Sequence, residues 1–414
     1  MRPLRESADF RRLWIGSGLS TAGGQMTSFA VVLQVYRLTG SSVAVGGVGL
    51  AMALPAVAFG LLGGSIADAV DRRRVVLVTS SCLALVSVGF AWQSFAGLRS
   101  LWLLYALVAV ESTLVSVNSP ARRTFTPRLL PPDQLAAGAA LSLLTMHAAV
   151  IVGPALAGVV AGVWGLTVCY VVDAVSFVAA LYATFRLPPM LPDAATRPGL
   201  RAIAEALQFV AGDRVLLGAF LTDACAMVLG MPIALFPAIN AQRFGGAPQT
   251  LGLFTAALAV GGVLGTALSG PVGQVSRTGR AMLVAGAVWG GALIGFGLAH
   301  RLWLALAMLA LAGTADVISV VFRSATVQLL TPDRQRGRVG AVEYVVGAGL
   351  PQLGSFRAGT VASLTSPGFS AVSGGLSVIA ASGLLALALP AFVRYRAPVT
   401  PPRRDRRRRR PEPP

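Results

Sequence analysis

Five acidic residues, Glu111, Asp173, Asp223, Asp316 and Glu343, lie within stretches of sequence that are otherwise almost wholly apolar. A carboxylate is costly to bury in such surroundings, so its presence there points to a functional or structural role, whether exchanging a proton, pairing with a cation, or holding a neighbouring segment by hydrogen bonds. A carboxyl group in an apolar cavity is easier to protonate than one in water, and can load and unload a proton as its access to water changes. That chemistry makes Glu111 and Asp223 candidates for a proton carrier. The same acids could instead bind a cationic small molecule or bridge neighbouring helices, and the residue pattern leaves these readings open. Gln25, Gln34 and His147, also set in apolar stretches, are weaker candidates for contact with a small-molecule substrate; a lone histidine is more often satisfied by a neighbouring helix.

The elements that position these residues are apolar runs of about 20 residues, each long enough to cross a hydrocarbon core of roughly 30 Å as a helix. Hydropathy and punctuation place them near 13–36, 43–67, 75–95, 101–121, 136–162, 166–187, 214–240, 250–272, 280–299, 302–322, 338–363 and 370–393. Twelve spans use nearly the whole chain, and a composition of 55% hydrophobic and 12% charged residues leaves no room for a large extramembrane domain. Mean hydropathy is +0.72, as a polytopic membrane protein requires. At about 1.5 Å per residue from the nearer loop, Glu111, Asp173 and Asp223 lie near the bilayer midplane. Asp316 and Glu343 lie in the half on the arginine-rich side.

Arginines collect in every second gap. Arg2, Arg5, Arg11 and Arg12 precede the first span, Arg72, Arg73 and Arg74 follow the second, and Arg122, Arg123 and Arg128 follow the fourth. Arg186, Arg197, Arg201 and Arg214 surround the central connection, Arg277 and Arg280 follow the eighth span, and Arg323, Arg334, Arg336 and Arg338 follow the tenth. The opposite gaps hold only Arg37, Arg99, Arg243 and Arg301. Basic loops stay cytoplasmic, so both termini are expected on the cytoplasmic side. Residues 1–12 are polar and basic and lead into a full span, so the first span is expected to double as the insertion signal without a cleaved leader.

A net charge of +18 invites a nucleic-acid reading, but the charge follows topology and lacks stacking aromatics, so no nucleic-acid partner is expected. The arginine-rich tail, within 394–414, reads as a disordered segment able to rest on anionic lipid headgroups. Cys82, Cys169 and Cys225 sit in separate spans, which with two histidines indicates neither a disulfide framework nor a metal site. Every basic residue is arginine, so a phosphate-binding loop ending in Gly-Lys cannot occur, and no Ser/His/Asp constellation stands out. No cofactor and no enzymatic activity are expected.

The chain echoes itself. Arg123-Thr124 with Thr126, Leu129-Leu130 and Pro132-Asp133 corresponds to Arg323-Ser324 with Thr326, Leu329-Leu330 and Pro332-Asp333. More weakly, 64–74 corresponds to 270–280. Two six-span bundles in parallel orientation follow: 1–187, a cytoplasmic connection over 188–213, and 214–393. Such parallel repeats suit transporters that rock two bundles about a midplane site. Within the connection, Leu200, Ile203, Ala204, Leu207, Phe209 and Val210, with Arg201 and Glu205, suggest either a short amphipathic helix on the inner surface or a linker with some helicity.

The loop Gly64-Ser65-Ile66-Ala67-Asp68-Ala69-Val70-Asp71-Arg72-Arg73-Arg74 resembles the signature loop of the major facilitator superfamily. The likeness lies in a glycine, an aspartate four residues on, then a basic cluster; Ala69 and Asp71 depart from the usual basic residue and glycine. Phe10-Arg11-Arg12-Leu13-Trp14, Asn118-Ser119-Pro120-Ala121-Arg122-Arg123 and Leu353-Gly354-Ser355-Phe356-Arg357-Ala358-Gly359 resemble one branch, the enterobactin-exporter and macrolide-efflux group. Gly153-Pro154 with Gly158 resembles the fifth-span motif of antiporters, although Ala149 and Ala157 replace preferred glycines.

The resemblance implies an all-α integral membrane fold of twelve helices in two pseudo-symmetric bundles. It implies that the first, fourth, seventh and tenth spans line a cavity, which ranks Glu111, Asp223 and Asp316 above Asp173 as proton-coupling residues. Gly64, Asp68, Arg72 and Arg73 are the implied gate, and Gly153, Pro154 and Gly158 an implied hinge or seal. The expected activity is proton-coupled efflux of amphipathic small molecules by a monomer in the bacterial inner membrane, with protons and lipid as its other partners. An importer of a small nutrient and a non-transporting scaffold or receptor are the alternatives. Arg357 is expected to reach the outer interface or an ion pair there.

Overall fold

The computed structural model describes residues 2–69, 71–188, 190, 200–272 and 275–397. Residues 60–69, 200–204, 206, 270–272, 333, 334, 337, 338, 341, 344 and 345 are described by backbone course alone.

Twelve long helices follow in chain order, and their ends are set by local chemistry. α1 (Ala8–Thr39) starts where the Ser7 side chain accepts from the Phe10 N–H and stops at Gly40, whose φ of 63° supplies the left-handed terminator. α2 is Ser42–Ala69, and α3 (Arg72–Phe95) is capped by Asp71. α4 (Leu101–Arg123) is capped by Ser100, followed by α5 (Leu135–Val163) and α6 (Leu166–Phe185). A connecting helix, Leu200–Gly212, leads to α7, which comes in two pieces, Arg214–Gly230 and Phe236–Arg243. α8 (Pro248–Val272), α9 (Thr278–Leu298), α10 (Leu302–Leu330), α11 (Asp333–Leu364) and α12 (Pro367–Ala388) complete the set.

Ten spans are long and apolar enough to cross a membrane among the described residues. The other two helices, α1 and α11, dilute their apolar residues: α1 with Ser, Thr, Gly and Gln, α11 with the charges of its first turns. Where sequence reading placed one unbroken seventh span, Pro232 and Pro237 remove backbone donors and break α7 at Gly230. α10 continues to Leu330 rather than ending at 322.

Each helix of the first six packs on the same partners as its counterpart six places later: α1 with α5 and α6, α7 with α11 and α12, α2 with α4, α8 with α10, α3 with α4 and α6, and α9 with α10 and α12. Two helix pairs, α2 with α11 and α5 with α8, make most of the contact between the halves. Both are glycine-lined. A Cβ at Gly46 would lie 2.8 Å from the Phe356 Cα, and one at Gly158 2.7 Å from the Pro248 carbonyl oxygen and 3.1 Å from the Gln249 Cα. Only glycine allows such backbone approach, and in lipid that packing replaces the missing hydrophobic drive.

The two ends of the molecule are built differently. Toward the face opposite the arginine-rich loops, one apolar core runs through both halves, from Phe29, Phe90 and Tyr170 to Phe236, Phe254 and Phe296. Toward the basic face the buried clusters each belong to one half: Leu13, Val76 and Phe125 in the first, Leu216, Phe220 and Val339 or Met282, Phe322 and Phe392 in the second. Among the described residues the halves are fused at one end and separately packed at the other.

Candidate functional site: a cavity between the halves

A cavity of about 270 Å³ lies at the junction of α1, α2, α4, α5, α7, α8 and α11. On α1, Gln25, Ser28, Phe29 and Val32 recur at three- and four-residue spacing, so they share one face and enter the cavity together. Val48, Gly49 and Met52 come from α2, Val108 and Glu111 from α4, Pro154 from α5, Leu251 and Thr255 from α8, and Gln352 and Ser355 from α11. The break in α7 turns Ile233, Ala234 and Phe236 to the same space.

Most of this wall is apolar, and its polar groups are unspent except for Thr255, whose hydroxyl donates to the Leu251 carbonyl at 3.1 Å. Glu111 has no hydrogen-bond or ion-pair partner among the described residues, and the same is true of the side chains of Gln25, Ser28, Gln352 and Ser355. A mainly apolar pocket with a few convergent polar groups is the usual form of a small-molecule site. Of the residues singled out from sequence, Gln25, Glu111 and Pro154 line this cavity together. Gly153 stands beside Pro154 but faces α1, where a Cβ would lie 2.6 Å from that of Gln25. Gly158 lies on the α5 and α8 contact already described.

Gln34 does not line the cavity. Its amide exchanges two 3.0 Å hydrogen bonds with Gln93 of α3, and its oxygen accepts from the Tyr170 hydroxyl of α6 at 2.7 Å. Asp173 is likewise a bracket: one carboxylate oxygen accepts from Thr27 of α1 and Ser87 of α3, each at 2.8 Å, and it is buried between them. His147 is half-buried on α5, two turns before Pro154, and is not among the residues of the cavity wall.

Asp223 on α7 forms a buried ion pair with Arg323 on α10. Asp316, two turns earlier on α10, and Glu343 on α11 make no hydrogen bond to this pair among the described residues. None of the four lines the cavity. In the first half Arg122 of α4 makes a similar reach to α1, donating to Ser17 at 2.8 Å and Ser20 at 3.3 Å.

At the basic face, Asp71 accepts from the Arg73 N–H and from the Met190 N–H, each at 3.0 Å, while the Arg72 N–H donates to the Met190 carbonyl at 3.1 Å. The Arg73 guanidinium donates to the Phe185 carbonyl at 2.5 Å and lies over the Phe185 ring, 5.6 Å from its centre, which caps the negative end of α6. These contacts stay within the first half and its exit segment. Gly64 and Asp68 are described by backbone course alone, so the implied gate contact of the Asp68 side chain lies outside the described residues, as does the tail beyond 397.

Arg357 corrects an expectation. It points into the second half rather than to the outer interface, and donates to the Leu229 carbonyl at 2.5 Å, one residue before the break in α7. No acid meets it among the described residues. Ser28, Thr255, Gln352 and Ser355 were not singled out from sequence, although the three-residue spacings of Gln25 with Ser28 and of Gln352 with Ser355 are the signal that could have found them.

The family model described as transmembrane secretion effector matches residues 1–410. The chain is similar to the enterobactin exporter EntS of Citrobacter koseri, 27% identical over 403 residues and 95% of each chain. It is also similar to EntS of Escherichia coli O157:H7, 25% identical over 406 residues, 96% of this chain and 95% of that one. Among solved structures it resembles the nucleoside transporter NupG, with a TM-score of 0.72 at 14% identity over 94% of this chain and all of that one. It also resembles a bacterial homologue of the iron transporter ferroportin in an inward-facing state, with a TM-score of 0.66 at 18% identity over 92% and 98%.

Proposed function

The chain belongs to the transmembrane secretion effector family of the major facilitator superfamily, and from that membership and the cavity between its halves we propose that it exports amphipathic small molecules in exchange for protons. The bundles 1–187 and 214–393, joined by 188–213, rock about the cavity so that it faces one aqueous phase at a time. The basic face is cytoplasmic, both termini lie there, and the membrane is the bacterial inner membrane. The described arrangement, fused only at the opposite end, then corresponds to a cavity approached from the cytoplasm. The protein works as a monomer.

Glu111 is the proposed proton carrier, and the observation that carries the reading is its place as an unpartnered carboxyl on an apolar wall between the two halves. Asp316 and Asp223 stand behind it, Asp223 because its carboxylate is engaged by Arg323. Asp68, with Gly64, Arg72 and Arg73, closes the cytoplasmic side when the cavity faces out. Gly153, Pro154 and Gly158 seal α5 against α1 and α8. The named cargo of the curated relatives, enterobactin, adds siderophores to drugs and secondary metabolites as cargo classes.

Susceptibility profiling of cells with and without the protein, against antibiotics and iron chelators, identifies a cargo. Everted vesicles then measure its pH-gradient-driven accumulation. Wild type is expected to accumulate cargo, with collapse on adding an uncoupler, and Glu111→Gln to lose the response to the gradient. Unchanged coupling in Glu111→Gln, Asp223→Asn and Asp316→Asn alike would dispose of a carboxyl proton carrier.

A further inference from the structure

We propose that the cargo is a lipophilic monocation, held by the Glu111 carboxylate against phenyl rings; this names the substrate class of the exporter reading above and rests on it.

Charge is distributed around the cavity with one sign. Among the described residues Glu111 is the sole ionisable one in the wall, and no arginine or histidine contributes to the lining. The arginines deep in the lining helices are committed elsewhere, Arg122 to Ser17 and Ser20 and Arg357 to the Leu229 carbonyl. With Glu111 ionised, an anionic cargo would meet repulsion and no compensating positive charge in this wall, whereas a cation gains a carboxylate that no described residue occupies.

The rest of the wall fits the same guest. Phe29 and Phe236, one from each half, border the space, Phe236 packed edge-on against Phe254 and Phe296, and a desolvated cation is attracted to aromatic rings. Aliphatic side chains cover the remaining surface and suit apolar substituents. Gln25, Ser28, Gln352 and Ser355 supply neutral dipoles that accept or donate without fixing a charge. The space of about 270 Å³ is at the small end for a ligand pocket and favours a compact guest.

Three aryl compounds of different charge test the class on the full-length protein: tetraphenylphosphonium, the similarly shaped anion tetraphenylborate, and uncharged triphenylphosphine oxide. Equilibrium binding in detergent is expected to favour the cation over both others. Glu111→Gln is expected to weaken cation binding at least about tenfold, equivalent to about 1.4 kcal/mol, with little change for the neutral compound. Glu111→Asp, which keeps the charge, is expected to retain the cation preference and so guards against misfolding as the cause. Tighter binding of the anion or the neutral compound, binding of none of the three, or an unchanged cation affinity in Glu111→Gln would overturn the cargo class. Everted-vesicle uptake keeps the two proposals apart. Uptake of the neutral or anionic member alone overturns the class and leaves the exporter standing. Cation binding without gradient-driven uptake overturns the exporter and leaves the class.

Discussion

Arg323 of α10 and Asp223 of α7 form a buried ion pair, and Asp223 stands the same number of residues after its N-cap, Asp213, as Ser17 stands after Ser7 on α1. Ser17 in turn receives Arg122 of α4. The two halves therefore make the same cross-helix reach from α4 to α1 and from α10 to α7, but one meets a hydroxyl and the other a carboxylate. Arg122 stands one position before Arg123, the residue that the sequence echo sets against Arg323, so the reach recurs from a neighbouring position and with a different charge on its partner; Asp223 serves its own half while Glu111 faces the cavity.

Breaking the ion pair from one side leaves the other charge buried and uncompensated. Asp223→Asn and Arg323→Gln are each expected to cost about 3–5 kcal/mol of stability, and the double variant to cost well under the sum of the two. Thermal unfolding in detergent reads the coupling; additive losses would contradict a paired role.

Asp173 and Glu111 are both acids at membrane depth, yet they should behave oppositely. Asp173→Asn removes half of a carboxylate that receives Thr27 and Ser87 and is expected to lower stability by about 1–3 kcal/mol while gradient-driven uptake persists. Glu111→Gln should leave the melting temperature nearly unchanged and abolish coupling. A reversal of these phenotypes would exchange their roles.

The close contact of α5 with α8 cannot accommodate a side chain. Gly158→Leu is expected to force these helices apart at the face opposite the basic loops, since a Cβ there already meets the Pro248 carbonyl oxygen. Distances between spin labels on α5 and α8 near that end should lengthen, with transport lost; an unchanged distance distribution would show that the contact yields elsewhere.

Arg357 holds the carbonyl that the break in α7 leaves without an intrahelical partner. Arg357→Ala is expected to cost about 1–3 kcal/mol and to weaken cargo binding, because Ile233, Ala234 and Phe236 follow directly on that break. Arg357→Lys, which can still donate, should recover part of both. Full cargo affinity in the alanine variant would separate the break from the cavity.

Sidedness has a direct readout. In a chain whose three cysteines are replaced by alanine, Arg99→Cys should react with an impermeant maleimide in intact cells and Arg74→Cys only in everted vesicles. Both side chains are exposed, so reagent access depends on topology alone. Labelling of position 74 from outside would invert the assigned orientation.

Much of the architecture was already legible in the residues. The length of an apolar run fixes whether it can span, because 1.5 Å per residue must cover the hydrocarbon core. Ser7, Asp71, Ser100 and Asp213 mark helix starts because their side chains satisfy orphan N–H groups. The break in α7 was less legible: Pro232 and Pro237 are visible in the chain, but apolar residues continue on both sides.

What the residues alone determined, then, was the set of twelve helices, the face to which the arginines belong and the presence of five costly acids. Only the tertiary structure decided their employment: Glu111 and Gln25 on an open wall, Asp173 and Gln34 as brackets between α1, α3 and α6, and Asp223 neutralised by Arg323. The reason is geometric. Each step along a helix turns a side chain by about 100°, so its surroundings depend on how that helix is rotated against neighbours that lie far away in the chain.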